Sequence, residues 1–230
     1  LLGENGAGKS TLLNILHGVY TATQGQIWID NQAVNFTSPV DALNFGIAKV
    51  HQEIHMVDCL NVGQNIALGF EKQKRGMLDY KEIYRKTDEI LKRLGCKFSS
   101  QDSLSGLSVG ELQMIAIAKS LYHQAKVISF DEPTASLSNV EIEKLFEVMR
   151  SLKEQGITLL FISHKLDEIF EMCDRVSILR DLHHDSRHLR YYKRRIDSKH
   201  GRQRCLQLRS TSKAFLCLEG SGFKSRPLVR

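Results

Sequence analysis

The sequence predicts an α/β fold built on a mostly parallel sheet, and three features of residues 1–181 predict it. Short apolar runs alternate with segments of helical period, the order that lays helices over parallel strands. A glycine-rich loop leads from an apolar stub straight into an apolar-faced helix. A later apolar run ends in two adjacent carboxylates.

Taken in order, Leu1-Leu2 reads as the end of a strand and residues 9–18 as the helix after it. Residues 26–29 and 47–50 are short strands. Residues 79–95 are polar and helical, with Ile83, Ile90, Leu91 and Leu94 as the apolar side. Ser108 opens a second helix over 111–122, and residues 127–130 form a buried strand. Residues 140–154 are amphipathic, with Ile142, Leu145, Phe146, Met149 and Leu152 on one face. Residues 157–162 read as a strand, 166–173 as a helix and 176–179 as a last strand. Beyond Arg180 no period of 2 or 3.6 is sustained, and no internal repeat is present.

Composition narrows the class. No run of about 18 apolar residues exists to cross a membrane as a helix, and no charged-then-apolar opening reads as a signal peptide. Five cysteines (Cys59, Cys96, Cys173, Cys205, Cys217) show no metal-binding spacing, so reduced thiols of a cytosolic protein are expected. The formal net charge of +6 is unevenly placed: residues 1–180 hold 19 Lys and Arg against 22 Asp and Glu, residues 181–230 hold 13 against 4. A basic arm of that kind could bind nucleic acid or anionic lipid.

Gly3-Glu4-Asn5-Gly6-Ala7-Gly8-Lys9-Ser10-Thr11 matches G-x-x-x-x-G-K-[ST] in full. Its glycines let backbone N–H groups wrap an anion, and the helix start behind them favours phosphate. Lys9 can reach the β- and γ-phosphates of a nucleotide, and the Ser10 hydroxyl can ligate Mg²⁺. Far along the chain, the strand 127–130 runs into Asp131-Glu132-Pro133-Thr134. Asp131 can hold Mg²⁺ beside Ser10, and Glu132 can polarise an attacking water. A solvated acidic turn is the bland reading of that pair when it stands alone.

Leu107-Ser108-Val109-Gly110-Glu111 sits immediately before an apolar helix. Ser108 and Gly110 would present a hydroxyl and backbone donors there, a second anion seat that a partner chain's nucleotide could use. The same residues also read as a plain helix cap with Glu111 at the third position.

The order Gly3–Thr11, Gln52, Leu107–Glu111, Val127–Glu132, Ala135-Ser136-Leu137-Ser138 and His164 resembles the ATP-binding-cassette ATPases. "GENGAGKSTL", "LSVGE" and "ISHKLDEIFEMCDRVSILRD" are most similar to the sugar-importer type that takes ribose, galactose or xylose. Val109 stands where most cassettes have Gly, and Leu112 where Gln is expected. The resemblance implies a P-loop NTPase fold with an inserted α-helical subdomain at about 60–115 that ends in the signature residues. It implies that Gln52 contacts Mg²⁺ and the water, that Ser136 and its neighbours cross to a second ATPase domain, and that His164 contacts the γ-phosphate. Taken alone, His164 reads as a surface histidine. The implied function is ATP hydrolysis powering sugar import, as a peripheral subunit on the cytoplasmic face of the membrane beneath permease subunits. No nucleic acid partner is expected. A soluble cassette that works on ribosomes or DNA, or an inactive fragment, are the other readings.

The family's opening strands and their adenine-stacking aromatic are expected to be missing before Leu1, which leaves weak hydrolysis or none. The ATPase domain is expected to cover residues 1–181, and residues 182–230 to form a basic, irregular tail. Read one base out of frame, codons for residues 182–207 permit Tyr-Ile-Thr-Thr-Arg-Asp-Ile-Ser-Asp-Ile-Thr-Lys-Glu-Glu-Leu-Ile-Ala-Asn-Met-Val-Gly-Arg-Asp-Val-Ser-Asn, close to the family's continuation. A shifted reading frame near residue 181 is the expectation for the tail, over a native basic arm.

Overall fold

The computed structural model describes residues 1–3, 6–51, 55–71, 73–74, 76–179, 190–192 and 215–218. Three parallel strands carry the centre: β4 (Ile47–Val50), β7 (Val127–Asp131) and β8 (Thr158–Ile162), in the order β4-β7-β8. A strand between two parallel neighbours is covered on both faces, so its sequence is a near-continuous apolar run rather than an alternating one. Val127, Ile128, Ser129 and Phe130 are all buried. β1 (Leu2–Gly3) pairs parallel with β9 (Val176–Leu179). The amino group of Leu1 donates to the Phe161 carbonyl, setting that pair beside β8.

The register divides the central sheet into two faces. Lys49 pairs with Ser129, and Ser129 with Leu160. Side chains alternate along a strand, so Ile47, Lys49, Val127, Ser129, Asp131, Leu160 and Ile162 share one face. α1 (Lys9–Leu16) covers it, with Leu13 and Leu16 buried. Leu13 packs with Leu1 and Ile162, and Leu16 with Ile47 and Val127. The other face, with Ala48, Val50, Ile128, Phe130 and Phe161, belongs to the larger core. α5 (Val109–Tyr122) and α6 (Asn139–Glu154) bring Met114, Ile115, Leu145 and Met149 to it. α7 (Leu166–Met172) adds Ile169.

Each long helix has a local reason to start where it does. Ser108 caps α5 and Ser138 caps α6, each reciprocated by a Glu at the third position. Asp79 caps α4 (Tyr80–Arg93), whose buried face is Ile83, Thr87, Ile90 and Leu91.

Several elements go beyond the sequence expectation. β2 (Gln26–Ile29) turns through Asp30 and Asn31, both at positive φ, into an antiparallel β3 (Gln32–Val34). α2 (Pro39–Phe45) starts at a Ser38 cap with Pro39 in its first turn and stops at Gly46. α3 (Val62–Ala67) is capped by Asn61 and Gln64, and packs with α4 and α5. A small antiparallel pair, β5 (Gln73–Lys74) with β6 (Met77–Leu78), precedes α4.

Two short strands lie within residues 182–230. β10 (Arg190–Tyr192) pairs antiparallel with β9, and β11 (Phe215–Leu218) parallel with β2. An open edge accepts another strand through backbone groups alone, so no side-chain period is needed to direct the pairing. The rest of residues 182–230 lies outside the described residues.

Gly18 closes α1 at φ 68°, and a Cβ there would collide with the Ser38 carbonyl. Gly69 is also left-handed, at φ 89°, but has nothing within 4 Å of that position. Gly69→Ala is expected to lose only the conformational term, about 1–2 kcal/mol. Gly18→Ala carries that term plus a backbone clash, so urea denaturation should show the clearly larger loss at Gly18.

Candidate functional site

α1 begins where the glycine loop ends. Its cap is Gly8 at φ 90°, and no side chain caps the helix. First-turn amides have no partner inside a helix, so this end offers donors and positive partial charge to whatever lies in front of it. The carboxyl end of β7 lies in front. Gly6, Gly8, Lys9, Ser10 and Thr11, with Asp131 and Glu132, line one cleft of about 410 Å³. Ala7 sits within the loop and Gly3 ends β1 ahead of it. Glu4, Asn5 and Gln52, also expected at this site, lie outside the described residues.

The two acids diverge because the backbone turns between them. Asp131 is the last residue of β7 and keeps the strand's face, where its Oδ2 is 3.1 Å from Lys49 Nζ. Glu132 has φ 47°, a left-handed conformation that is uncommon for a side-chain-bearing residue. Its amide donates to the Ile162 carbonyl at 3.0 Å, and its own carbonyl accepts from Ala135 at 3.3 Å. The turn carries the Glu132 carboxylate toward β8, with Oε1 3.4 Å from His164 Nδ1. His164 follows β8 and its side chain is 66% exposed.

A buried carboxylate that the sequence reading passed over braces this turn. Glu168 Oε2 accepts from the Thr134 hydroxyl at 2.9 Å and from the Ser163 hydroxyl at 2.8 Å, and Oε1 lies 3.1 Å from Lys165 Nζ. Thr134 follows Glu132 and Ser163 precedes His164, so one side chain ties both segments together. Its only sequence signal was an acid in the first turn of α7.

Under α1 the sheet face is polar. His17 Nε2 lies 2.5 Å from Ser129 Oγ, whose hydroxyl donates to the Ala48 carbonyl at 3.3 Å. The imidazole therefore donates to Ser129. Burial, with Lys49 and His51 nearby, pushes the His17 pKa down to about 4. A second cavity of about 350 Å³ opens beside this layer, with His17, Lys49, His51, Lys119 and His123 among its lining. His123 is likewise pushed down to about 4, chiefly by burial and then by Lys119.

Ser108, Gly110 and Glu111 stand at the start of α5. Ser108 Oγ accepts from the Glu111 amide at 3.2 Å, and Glu111 Oε2 from the Ser108 amide at 2.9 Å. The capping-box reading therefore holds for this pair, and the Glu111 carboxylate is engaged in it. The Gly110 amide donates to Glu141 Oε1 at 3.1 Å. Glu141, hydrogen-bonded first to Ser138 and then to this cap, is held down to about 2.

The cleft's donors are hard oxygens, two hydroxyls and two carboxylates, which suit Mg²⁺. Among the described residues no group of three or more His, Cys, Asp or Glu gathers to hold a metal by itself.

A sequence profile of the ABC transporter family matches residues 1–135. The arabinose import ATP-binding protein AraG of Yersinia pestis is 48% identical over 181 residues, 79% of this chain and 35% of that protein. The ribose import ATP-binding protein RbsA of Yersinia pestis bv. Antiqua (strain Antiqua) is 42% identical over 181 residues, 79% of this chain and 36% of that protein. The chain thus spans about a third of the length of these relatives. Among solved structures, MJ1267, an ATP-binding cassette of an ABC transporter, superposes with a TM-score of 0.68 at 26% identity, covering 77% of this chain and 74% of that one. The dimeric cassette MJ0796, bound to ADP and Pi after hydrolysis, has a TM-score of 0.63 at 27% identity, covering 77% and 78%.

His17 and His123 set a pH dependence whose sign follows from their shifts. Both are lowered from an ordinary 6.5 to about 4 in the folded chain. The unfolded chain therefore binds protons first as pH falls, and stability present above 6.5 is lost between about 6.5 and 4. Together these two histidines should contribute close to two protons to the slope, measured as urea midpoint against pH. His17→Gln should remove about one proton from that slope.

Proposed function

The chain belongs to the ABC transporter family, and from that premise we propose that it binds ATP with Mg²⁺ and hydrolyses it to drive sugar import through membrane subunits. The observation that carries this reading is the single cleft in which the glycine loop, Lys9 and Ser10 meet Asp131 and Glu132. In that cleft the loop amides and Lys9 bind the phosphates, the Lys9 ammonium reaching the β- and γ-groups. Ser10 and Asp131 would hold Mg²⁺, with Gln52 as a third contact, and the ion would supply charge neutralisation to the phosphates there. Glu132 takes the proton side of the attacking water, and His164, 3.4 Å from it, orients that carboxylate and faces the γ-phosphate. Glu168 holds the two segments that bear them.

Ser108 and Gly110 serve a second ATPase domain. The Ser108 hydroxyl donates to the nucleotide bound on the opposite domain, and the Gly110 amide, which donates to Glu141 in this structure, joins it once Glu141 gives way, so that ATP closes the two domains on each other. The dimeric MJ0796 structure supports this arrangement. The sugar and permease part of the reading rests on the relatives named for arabinose and ribose import. It places the chain at the cytoplasmic face of the membrane, attached through its partners. No helix among the described residues is long and apolar enough to cross a membrane.

Three measurements on the purified chain test the proposal. Lys9→Ala should weaken ATP affinity by about 10- to 100-fold, the worth of a charge-assisted hydrogen bond. Glu132→Gln should keep ATP affinity and lower magnesium-dependent phosphate release by about 10²-fold or more. Unchanged affinity in the first variant, or unchanged turnover in the second, would overturn the assigned roles. Co-expression with sugar-permease subunits should yield a complex on copurification, and its absence would remove the transport part.

A further inference from the structure

Lys49 has no place in the motifs. It interrupts the otherwise apolar β4, whose other residues are all buried. Its side chain is 15% exposed and ends 3.1 Å from Asp131 Oδ2. The sheet register explains the reach. Lys49 lies opposite Ser129, and Asp131 is two residues further along β7 on the same face. A lysine side chain laid along the strands spans that step. An ammonium this secluded depends on its carboxylate, since desolvating either charge alone is costly.

Lys49 is a cation that the structure sets directly against Asp131. His17 is neutral near pH 7 and its Nε2 is committed to Ser129. His51 lies just past the end of β4 and lines the neighbouring cavity with Lys49. Lys49 moreover lines the 350 Å³ cavity on its other side, so its flexible stem has space to withdraw.

We propose that Lys49 is the resident counter-ion of the metal carboxylate: it holds Asp131 in position before nucleotide arrives, then shares or yields that oxygen when the divalent ion enters. This rests on the reading of Asp131 as the metal carboxylate. Two cations compete for one carboxylate, so Lys49 lowers metal affinity while it keeps the carboxylate placed. A residue that merely stabilised the fold would, on removal, leave metal affinity unchanged or weaken it. Lys49 should do the opposite.

The test is Mn²⁺ binding by the 230-residue chain in the presence of ADP, with free Mn²⁺ read by electron paramagnetic resonance. Lys49→Met should bind Mn²⁺ about tenfold more tightly than the unaltered chain, the effect expected from removing a like charge a few ångströms away. Lys49→Arg, which keeps the charge, should stay near the unaltered affinity. In EDTA, Lys49→Met should also unfold at a different urea midpoint, and added Mn²⁺ should raise that midpoint more than in the unaltered chain. If circular dichroism shows Lys49→Met unfolded, Lys49→Gln is read in its place with the same expectation. Equal or weaker Mn²⁺ binding in the neutral variant overturns the proposal. Asp131→Asn separates this from failure of the site reading: if that variant binds Mn²⁺ as well as the unaltered chain, Asp131 is not the metal carboxylate and the parent reading falls instead.

Discussion

The pairing of β7 between β4 and β8 is the constraint on which the remainder depends. It is a parallel ladder, and parallel strands deliver their carboxyl ends to one side of a sheet, where α/β folds place their ligands. Phe130, fully buried, and Ile128, also at 0%, anchor β7 against the large core. From that anchorage Asp131 emerges opposite the start of α1. Neither the glycine loop nor the acids make a site alone. The loop supplies donors for an anion, and the strand end supplies ligands for a cation beside it. The sheet fixes the distance between the two.

The two faces of the ladder do different work. One is wholly apolar and joins the cluster that binds α5, α6 and α7 to the sheet. The other begins apolar at Ile47 and Val127, against Leu16, and turns polar at Lys49, Ser129 and Asp131 as it nears the cleft. Buried polar groups are tolerated when each finds a partner. Here His17 meets Ser129, Ser129 meets Ala48, and Lys49 meets Asp131. The gradient carries a charged site to the sheet end without exposing the sheet.

Elements long enough to repeat their period were legible in the sequence. The strands at Ile47–Val50 and Val176–Leu179 and the helix faces of α4 and α6 fall where the apolar pattern placed them. α2 and α3, at seven and six residues, complete too few turns to show a period. β3 and the β5–β6 pair have exposed residues and no apolar alternation to read. The glycine loop and the paired acids were visible because their chemistry is written in adjacent residues. Lys49, His17, Ser129 and Glu168 were not, because each is an isolated polar residue whose partner lies far along the chain or across an element. β10 and β11 carried no readable signal because edge pairing uses the backbone, which every sequence supplies.

Adjacent acids on a regular strand would point to opposite faces, one toward α1 and one toward the core beside Phe130, where a carboxylate has no partner. Left-handed φ at Glu132 avoids that outcome. Strain of this kind is typically of order 1–3 kcal/mol and persists only where surroundings over-determine it. They do so here: the Glu132 amide is held by Ile162, its carbonyl by Ala135, and Thr134 just beyond is held by Glu168. Glu168 also holds Ser163, so the turn and the segment carrying His164 are fixed by one buried carboxylate. The strained residue is therefore braced from both sides, and its side chain is the one freed from the sheet's alternation. That freedom lets two neighbouring carboxylates serve different partners, Asp131 facing a cation on its own sheet face and Glu132 facing the His164 imidazole beyond β8.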